Sequence, residues 1–350
     1  MNKKTEKRIK VINSIAPIRI CDNGGWTDTW FAEYGKVFNI AVYPYVEVQI
    51  EVYASTEKEN QIIIQAENYG DKYTINHEKN KKWTQHPLLE AAIKYMKIPY
   101  NVSLKVIIYS EAPTGCSTGT SAAVTVALIG ALDHLTPGRM TPHEVAYTAQ
   151  MIETKMLSQQ CGIQDQFCSA YGGINFIEMT KYPFVTVSKI EISNSIWWEL
   201  EKRLTLIFLG KSHVSSAVHQ KVIKELESVG AKNEKLEKLR KFAEKSKNAL
   251  YSGNLKELGK IMCQNTEIQA TLHPEIVSKD AYEIIKIAKK YNVAGWKVNG
   301  AGGDGGSITL LCNNLFYEKR KMIKEIEEIN PLFKNIPIYL SRHGLRVWES

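Results

Sequence analysis

The apolar pattern changes character part-way along the chain. Up to about residue 195 it is rich in short β-branched runs. Those at 11–20, 36–53, 61–66, 102–109 and 185–192 predict strands. Helices are expected between them at 87–96, 121–135 and 142–157. The last begins with a full start signal: Thr141 as N-cap, Pro142 at the first helical position and Glu144 to complete a capping box. Residues 122–132 are apolar all round apart from Thr125, with Gly130 the one breaker, which suits a buried helix.

Beyond the apolar run 204–210 the pattern turns helical, at 216–227, 233–251 and 254–272, with Gly253 and His273-Pro274 as punctuation. A helix at 278–291, a strand near Trp296, a glycine loop, a strand at 307–311, a helix at 315–329 and short strands at 336–340 and 345–348 follow. The chain therefore reads as α+β, with one domain over 1–195 and a second over 196–350. Its 350 residues agree with two domains better than with one.

Composition narrows the function. The apolar (44%) and charged (23%) fractions are those of a soluble globular protein, and no run is long and apolar enough to span a bilayer. The start of the chain is basic but has no apolar signal core behind it, so a cytoplasmic protein is expected. Six cysteines without a C-x-x-C pair imply reduced thiols, with neither a disulfide framework nor zinc. The net charge of +8 is spread over many lysines, and 232–247 interleaves Glu and Lys as a solvated helix face does. Aromatic residues do not cluster among the basic ones, so no nucleic-acid partner is expected. The charge implies a mild preference for anionic ligands.

Candidate chemistry lies in four segments. The turn 113–123 (PTGCSTGTSAA) joins a strand to a buried helix. Such a junction is an anion site, because free N–H groups and the positive helix end converge there; the alternative is a tight turn capped by Thr120 or Ser121. It is neither a Walker loop, lacking Lys before Ser121, nor a G-x-G-x-x-G fingerprint. In 17–28 (PIRICDNGGWTD), Gly24 and Gly25 admit a ligand to the backbone, Trp26 offers an apolar plate and Asp28 offers acceptor oxygens, a combination that holds sugars. A hairpin turn with Asp28 as a local cap is the other reading. Glu153 stands at the margin of an apolar helix stripe, where carboxylates are commonly just solvated. Asp165, between two glutamines, is either structurally hydrogen-bonded or poised to take a proton. Finally, 297–307 (KVNGAGGDGGS) carries five glycines within seven residues, which a backbone closing around a ligand explains better than a hairpin.

In their order and content these segments resemble the GHMP kinases, and the resemblance covers nearly the whole chain. GGWTD and GIQDQ are most similar to the sugar-kinase branch, the fucokinases and heptose phosphate kinases. The resemblance implies an N-terminal domain like ribosomal protein S5, a C-terminal ferredoxin-like domain and an active site in the cleft. It implies transfer of the γ-phosphoryl group of ATP, with Mg²⁺, to a sugar or sugar phosphate, usually at an anomeric hydroxyl. Carried over by position, Asp165 matches the base and Arg19 the cation beside it. Ser121 and Glu153 match the Mg²⁺ ligands. Pro113, Gly115, Cys116, Ser117, Gly119, Thr120 and Ser121 match the nucleotide loop. Gly25, Trp26, Thr27, Asp28, Tyr171, Gly173, Gly302 and Gly303 match the acceptor side, with Asp28 as the sugar-binding acid.

The chain departs from the family pattern in places. Ser117-Thr-Gly-Thr-Ser121 stands where the loop usually carries a Gly-Leu-Gly-Ser-Ser core. Cys116 lies in that loop, where a helix N-terminus lowers a thiol pKa unless the residue merely fills space. Asp304 faces either the sugar or solvent, and Asp22 and Asn23 occupy positions that are often apolar or small. These differences bear on the sugar more than on the reaction.

Overall fold

The computed structural model describes residues 7–55, 61–76, 83–135, 139–211, 215–227, 229–313 and 315–350. The first part of the chain runs β1 (Arg8–Asn23), β2 (Gly35–Ala54), β3 (Gln61–Ala66), β4 (Asp71–Asn76), α1 (Pro87–Met96), β5 (Val102–Ser110), α2 (Thr120–Asp133), α3 (Pro142–Met151), α4 (Gln164–Tyr171), β6 (Ile174–Lys181) and β7 (Phe184–Lys189). The rest runs α5 (Asn194–Arg203), β8 (Leu204–Phe208), α6 (Ser215–Leu226), α7 (Glu234–Tyr251), α8 (Leu255–Leu272), α9 (Lys279–Lys290), β9 (Gly295–Val298), β10 (Ser307–Leu311), α10 (Phe316–Ile329), β11 (Lys334–Ile336), β12 (Tyr339–Leu340) and β13 (Arg346–Glu349).

A nine-stranded sheet is built on β2, which pairs with β1 along one edge and with β6, β12 and β5 in turn along the other. β3 joins β5 in parallel, and β4 closes that end. The start of β1 mixes exposed and buried residues, but from Ala16 to Asn23 every residue is buried. The helices α2, α4, α7 and α8 all pack on β1. A strand covered on both faces can hold a polar side chain only where it is paired, so Arg19 and Asp22 are constrained by position alone. α2 is buried almost all round, as its largely apolar sequence predicts.

The second sheet has the order β11-β8-β10-β9, which is fourth, first, third, second in sequence, the arrangement of a ferredoxin-like unit. α9 packs on β9 and β10, and α10 on α9 and β11, around Ile284, Ile308, Leu310, Ile326 and Phe333. The last two strands do not stay with this sheet. β12 pairs with β2, and β13 pairs with β1 from Ile12↔Glu349 to Ile15↔Arg346.

Most expected elements are present, and α1 and β3 have the expected bounds. The capping box at Thr141 and Glu144 forms with both reciprocal hydrogen bonds. The helix expected over 142–157 is interrupted: α3 ends at Met151 and a single wide π turn, Ile152–Met156, follows. Among the described residues β4, α4, β6 and α5 were not anticipated, and the strand expected at 336–340 is replaced by β11 and β12, which join different sheets. All six cysteines are unpaired, and among the described residues no helix is long and apolar enough to cross a membrane.

Candidate active site

The loop between β5 and α2 is shaped by three residues with positive φ, Gly115 (74°), Ser117 (57°) and Gly119 (73°). Cys116 N donates to Pro113 O at 3.3 Å to close the turn. Gly119 is the N-cap of α2 and supplies no side-chain cap, so N–H groups of the first turn keep their capacity for an external acceptor. Thr120 lies on that turn, and Ser121 is exposed there. Cys116 is buried, and burial pushes its thiol up to about 11, which makes it a space-filling residue rather than a nucleophile.

Asp165 sits in the first turn of α4. Arg19, from the buried half of β1, grips it with two hydrogen bonds: Nε to Oδ1 at 2.8 Å and Nη2 to Oδ2 at 3.3 Å. The third guanidinium nitrogen, Nη1, donates to Ser117 O at 2.6 Å, and Arg19 N donates to Thr118 O at 2.9 Å. One arginine thus ties the glycine loop to the carboxylate. Burial opposes its charge, but Asp165 and Asp22 outweigh burial and raise the guanidinium pKa.

Asp28 does two things. Its Oδ2 accepts from Ile163 N (2.9 Å) and Gln164 N (3.0 Å), so it caps α4 from a distant part of the chain. It also borders the cleft, and burial lifts its pKa to about 6. Glu153, on the π turn, is buried, accepts from Gln166 Nε2 at 2.8 Å and is pushed by burial up to about 7. Wide turns of this kind recur at functional sites because they re-aim a side chain.

These groups share one cleft of 680 Å³, bordered by Arg19, Asp165, Glu153, Ser121, Asp28 and Trp26 together with the loop from Thr114 to Thr120. The structure does not bring every expected residue there. Gly25 packs on the Asp22 carboxylate, and a β-carbon on it would lie 2.9 Å from Oδ2. Thr27 is buried, and its hydroxyl bonds Gly24 O and Lys36 O. Tyr171 stacks on Phe167 and meets His143 Nδ1 at 3.2 Å. Gly173 stitches the sheet to the chain end, its N–H donating to Ser341 O at 2.7 Å. A β-carbon on Gly302 would sit 2.0 Å from Ile276 O, and Gly303 N donates to that same carbonyl, so both anchor the late loop to the segment before α9. Gly300 and Ala301 are what this loop contributes to the cleft. Asp304 faces solvent in an ion pair with Lys211.

The sequence reading missed a buried ion pair beside the cleft. Lys297 Nζ, fully buried in β9, donates to Asp22 Oδ1 and Gln269 Oε1, each at 3.0 Å, and to Val298 O. Gly300 N donates to both Asp22 oxygens, and Gln269 Nε2 donates to Gly300 O at 2.7 Å. Burial works against the Asp22 carboxylate, but Lys297 and Arg19 outweigh it and lower its pKa. The signal available in the sequence was an ionisable residue in an otherwise apolar strand.

Comparison with known proteins shows what the chain is similar to. Residues 87–173 match the model of the GHMP kinases N terminal domain. The chain is 25% identical over 312 residues to a bifunctional fucokinase/GDP-fucose pyrophosphorylase of Arabidopsis thaliana, covering 84% of this chain and 29% of that one. It is 30% identical over 218 residues to a D-glycero-alpha-D-manno-heptose 7-phosphate kinase of Campylobacter jejuni, covering 60% of this chain and 61% of that one. The match thus spans less than two thirds of the length of either relative. Among solved structures, a D-glycero-D-manno-heptose 1-phosphate kinase of Bacteroides thetaiotaomicron superposes with a TM-score of 0.75 at 21% identity, covering 96% of this chain and 98% of that one. A galactokinase of Lactococcus lactis, solved with galactose, gives a TM-score of 0.74 at 16% identity, covering 96% and 95%. These two structures share the fold of this chain.

Proposed function

We propose that this chain, which belongs to the GHMP kinase family, transfers the terminal phosphoryl group of ATP to a hydroxyl of a sugar, the anomeric one. Its fold is the α+β fold of that family, with an S5-like part around the nine-stranded sheet and a ferredoxin-like part around the four-stranded one. The observation that carries the reading is the seating of Asp165 against the mouth of the glycine loop, with Arg19 bonded to both.

Each residue has a physical task. The loop from Thr114 to Thr120 and the start of α2 present N–H groups to a polyphosphate, while Pro113, which has no N–H, is not among the residues that border the cleft. Asp165, within the same cleft, takes the proton of the attacking hydroxyl. Arg19 aligns that carboxylate and puts positive charge where the transferring group passes. Trp26 and Asp28 border the acceptor side as plate and polar anchor.

The donors fit a magnesium ion. Ser121 and Glu153 both border the cleft, Glu153 is a buried carboxylate that a cation would favour in its charged form, and Gln166 Oε1 beside it is buried without a partner. Ser121 and Glu153 would hold the ion, which when bound neutralises charge on the phosphates. Among the described residues no cluster of three His, Cys, Asp or Glu side chains forms a metal site.

The test is a coupled ADP-release assay over fucose, galactose, arabinose, mannose, uronic acids and heptose phosphates. Sugar-dependent release, with a product that has lost its reducing end, is the expected result. ADP release that no sugar stimulates would overturn the reading, and a product that still reduces would overturn the anomeric assignment.

A further inference from the structure

The end of β1 departs from a regular strand just after Arg19. Its register against β2 shifts between Ile20 and Asn23, and Cys21 there has φ 57°, a left-handed conformation that a non-glycine residue disfavours. A bulge re-aims the side chains beside it, and here the Asp22 carboxylate meets Lys297 of β9. Strain held at one point of a buried strand, next to a cleft, points to a task for the residue it aims.

That task is to hold Gly300. Gly300 N donates to Asp22 Oδ2 at 3.1 Å and to Oδ1 at 3.2 Å, and Gly300 O accepts from Gln269 Nε2 at 2.7 Å. Lys297 Nζ joins the two holders, because it donates to Asp22 Oδ1 and to Gln269 Oε1. Gly300 is thus gripped through both its N–H and its carbonyl. It lies in turn against Arg19 and the glycine loop: a β-carbon on it would sit 3.1 Å from Arg19 Nη2 and 2.9 Å from Ser117 O. Arg19 Nη2 is bonded to Asp165, and Ser117 O is bonded to Arg19 Nη1. Burial works against the charge of both Arg19 and Lys297, and the Asp22 carboxylate supports both.

Resting on the kinase reading, we propose that Asp22, Lys297 and Gln269 form a clamp that seats Gly300 against Arg19, and that these three are positioning residues for phosphoryl transfer. They act through Arg19 on Asp165 and touch neither substrate. The position of Asp22 is often apolar or small in the GHMP kinases, and the clamp gives this departure a role. The glycine loop keeps its own shape through Gly115, Ser117, Gly119 and the Cys116–Pro113 hydrogen bond. Loss of the clamp therefore slows turnover and spares nucleotide binding.

The experiment compares two double variants by kcat and KM, with the folded fraction read by denaturation. Asp22→Leu with Lys297→Met leaves no buried charge alone but gives Gly300 N no acceptor. Asp22→Asn with Lys297→Met removes the same charges and keeps an acceptor oxygen for Gly300 N. In the first, kcat per folded molecule is expected to fall at least about tenfold, with the KM for ATP and for sugar within about threefold of the natural values. The second is expected to keep at least about threefold more turnover than the first. Equal kcat in the two, or a loss confined to KM, would overturn the proposal. Gln269→Leu removes the other bond to Gly300 and no charge, and it keeps the test open if the first variant does not fold. Its kcat is expected to fall at least about threefold, and an unchanged kcat would overturn the clamp. Crystal structures of the natural protein and a folded variant separate this proposal from the kinase reading. Arg19 is expected to leave Asp165 or Ser117 O, and an unmoved Arg19 would overturn the clamp even in an active kinase. A natural protein that phosphorylates no sugar would overturn the kinase reading, and the positioning role with it.

Discussion

Gly119 and Asp165 lie against each other: a β-carbon on Gly119 would sit 3.0 Å from the Asp165 carboxyl carbon. Gly119 also has φ 73°, the left-handed conformation that a side chain disfavours. The loop and the carboxylate therefore approach at one edge of the cleft, and glycine is needed there both for the turn and for the closeness. Gly119→Ala is expected to destabilise the fold by about 1–2 kcal/mol and to displace Asp165 from Arg19. The kcat of the folded variant should fall by at least about tenfold, since misplaced catalytic groups lose rate steeply. Denaturation and steady-state kinetics on the same preparation check this; an unchanged kcat would show that the contact does not position the carboxylate.

The Asp22–Lys297 pair joins the two sheets next to Arg19. Removing one partner leaves a buried, uncompensated charge, so Lys297→Met is expected to cost about 3–5 kcal/mol of stability. Combining it with Asp22→Asn should recover much of that loss, because neither charge then remains buried alone. A double-mutant cycle in urea reads the coupling. Additive single effects would mean that the two side chains do not depend on each other.

Asp28 gives the protein a predicted pH signature. Its folded pKa is about 6, raised by burial from the ordinary 3.8. Below pH 3.8 the group is protonated in both states and contributes nothing. As pH rises from there to 6, the unfolded chain releases the proton while the native state retains it, so native stability falls across that window, by about 3 kcal/mol in all. Asp28→Asn removes this dependence, and its single oxygen can still accept from Ile163 N and Gln164 N, as Oδ2 does now. The variant is expected to gain on the natural protein between pH 4 and pH 7 when unfolding is measured at both. A difference that stays flat with pH would assign the pH-sensitive stability elsewhere.

How far the sequence could be read depended on the range of the interaction that decides each element. The start of α3 was legible because Thr141, Pro142 and Glu144 lie within one turn. The short, polar α4 was not, because its cap is Asp28, contributed from far away in the chain. The pairing of β13 with β1 is likewise invisible locally. Asp28 and Asp165 stood out as carboxylates among glycines and uncharged residues, whereas Arg19, Ser121 and Glu153 were reached through the resemblance to the GHMP kinases. The glycines were harder to sort. Gly302 and Gly173 lack side chains because backbone packs against them or because the turn demands it, and such a glycine reads the same in sequence as one that admits a ligand.

The most direct test of the account is the turnover of Asp165→Asn. The substitution keeps the shape of the side chain that Arg19 grips but removes its basicity. With the best sugar of the panel, kcat is expected to drop about a hundred- to ten-thousandfold, while ATP binding, followed by calorimetry, stays as it was. Turnover near that of the natural protein, in a variant that binds ATP normally, would contradict the central claim that this carboxylate receives the proton at the mouth of the glycine loop.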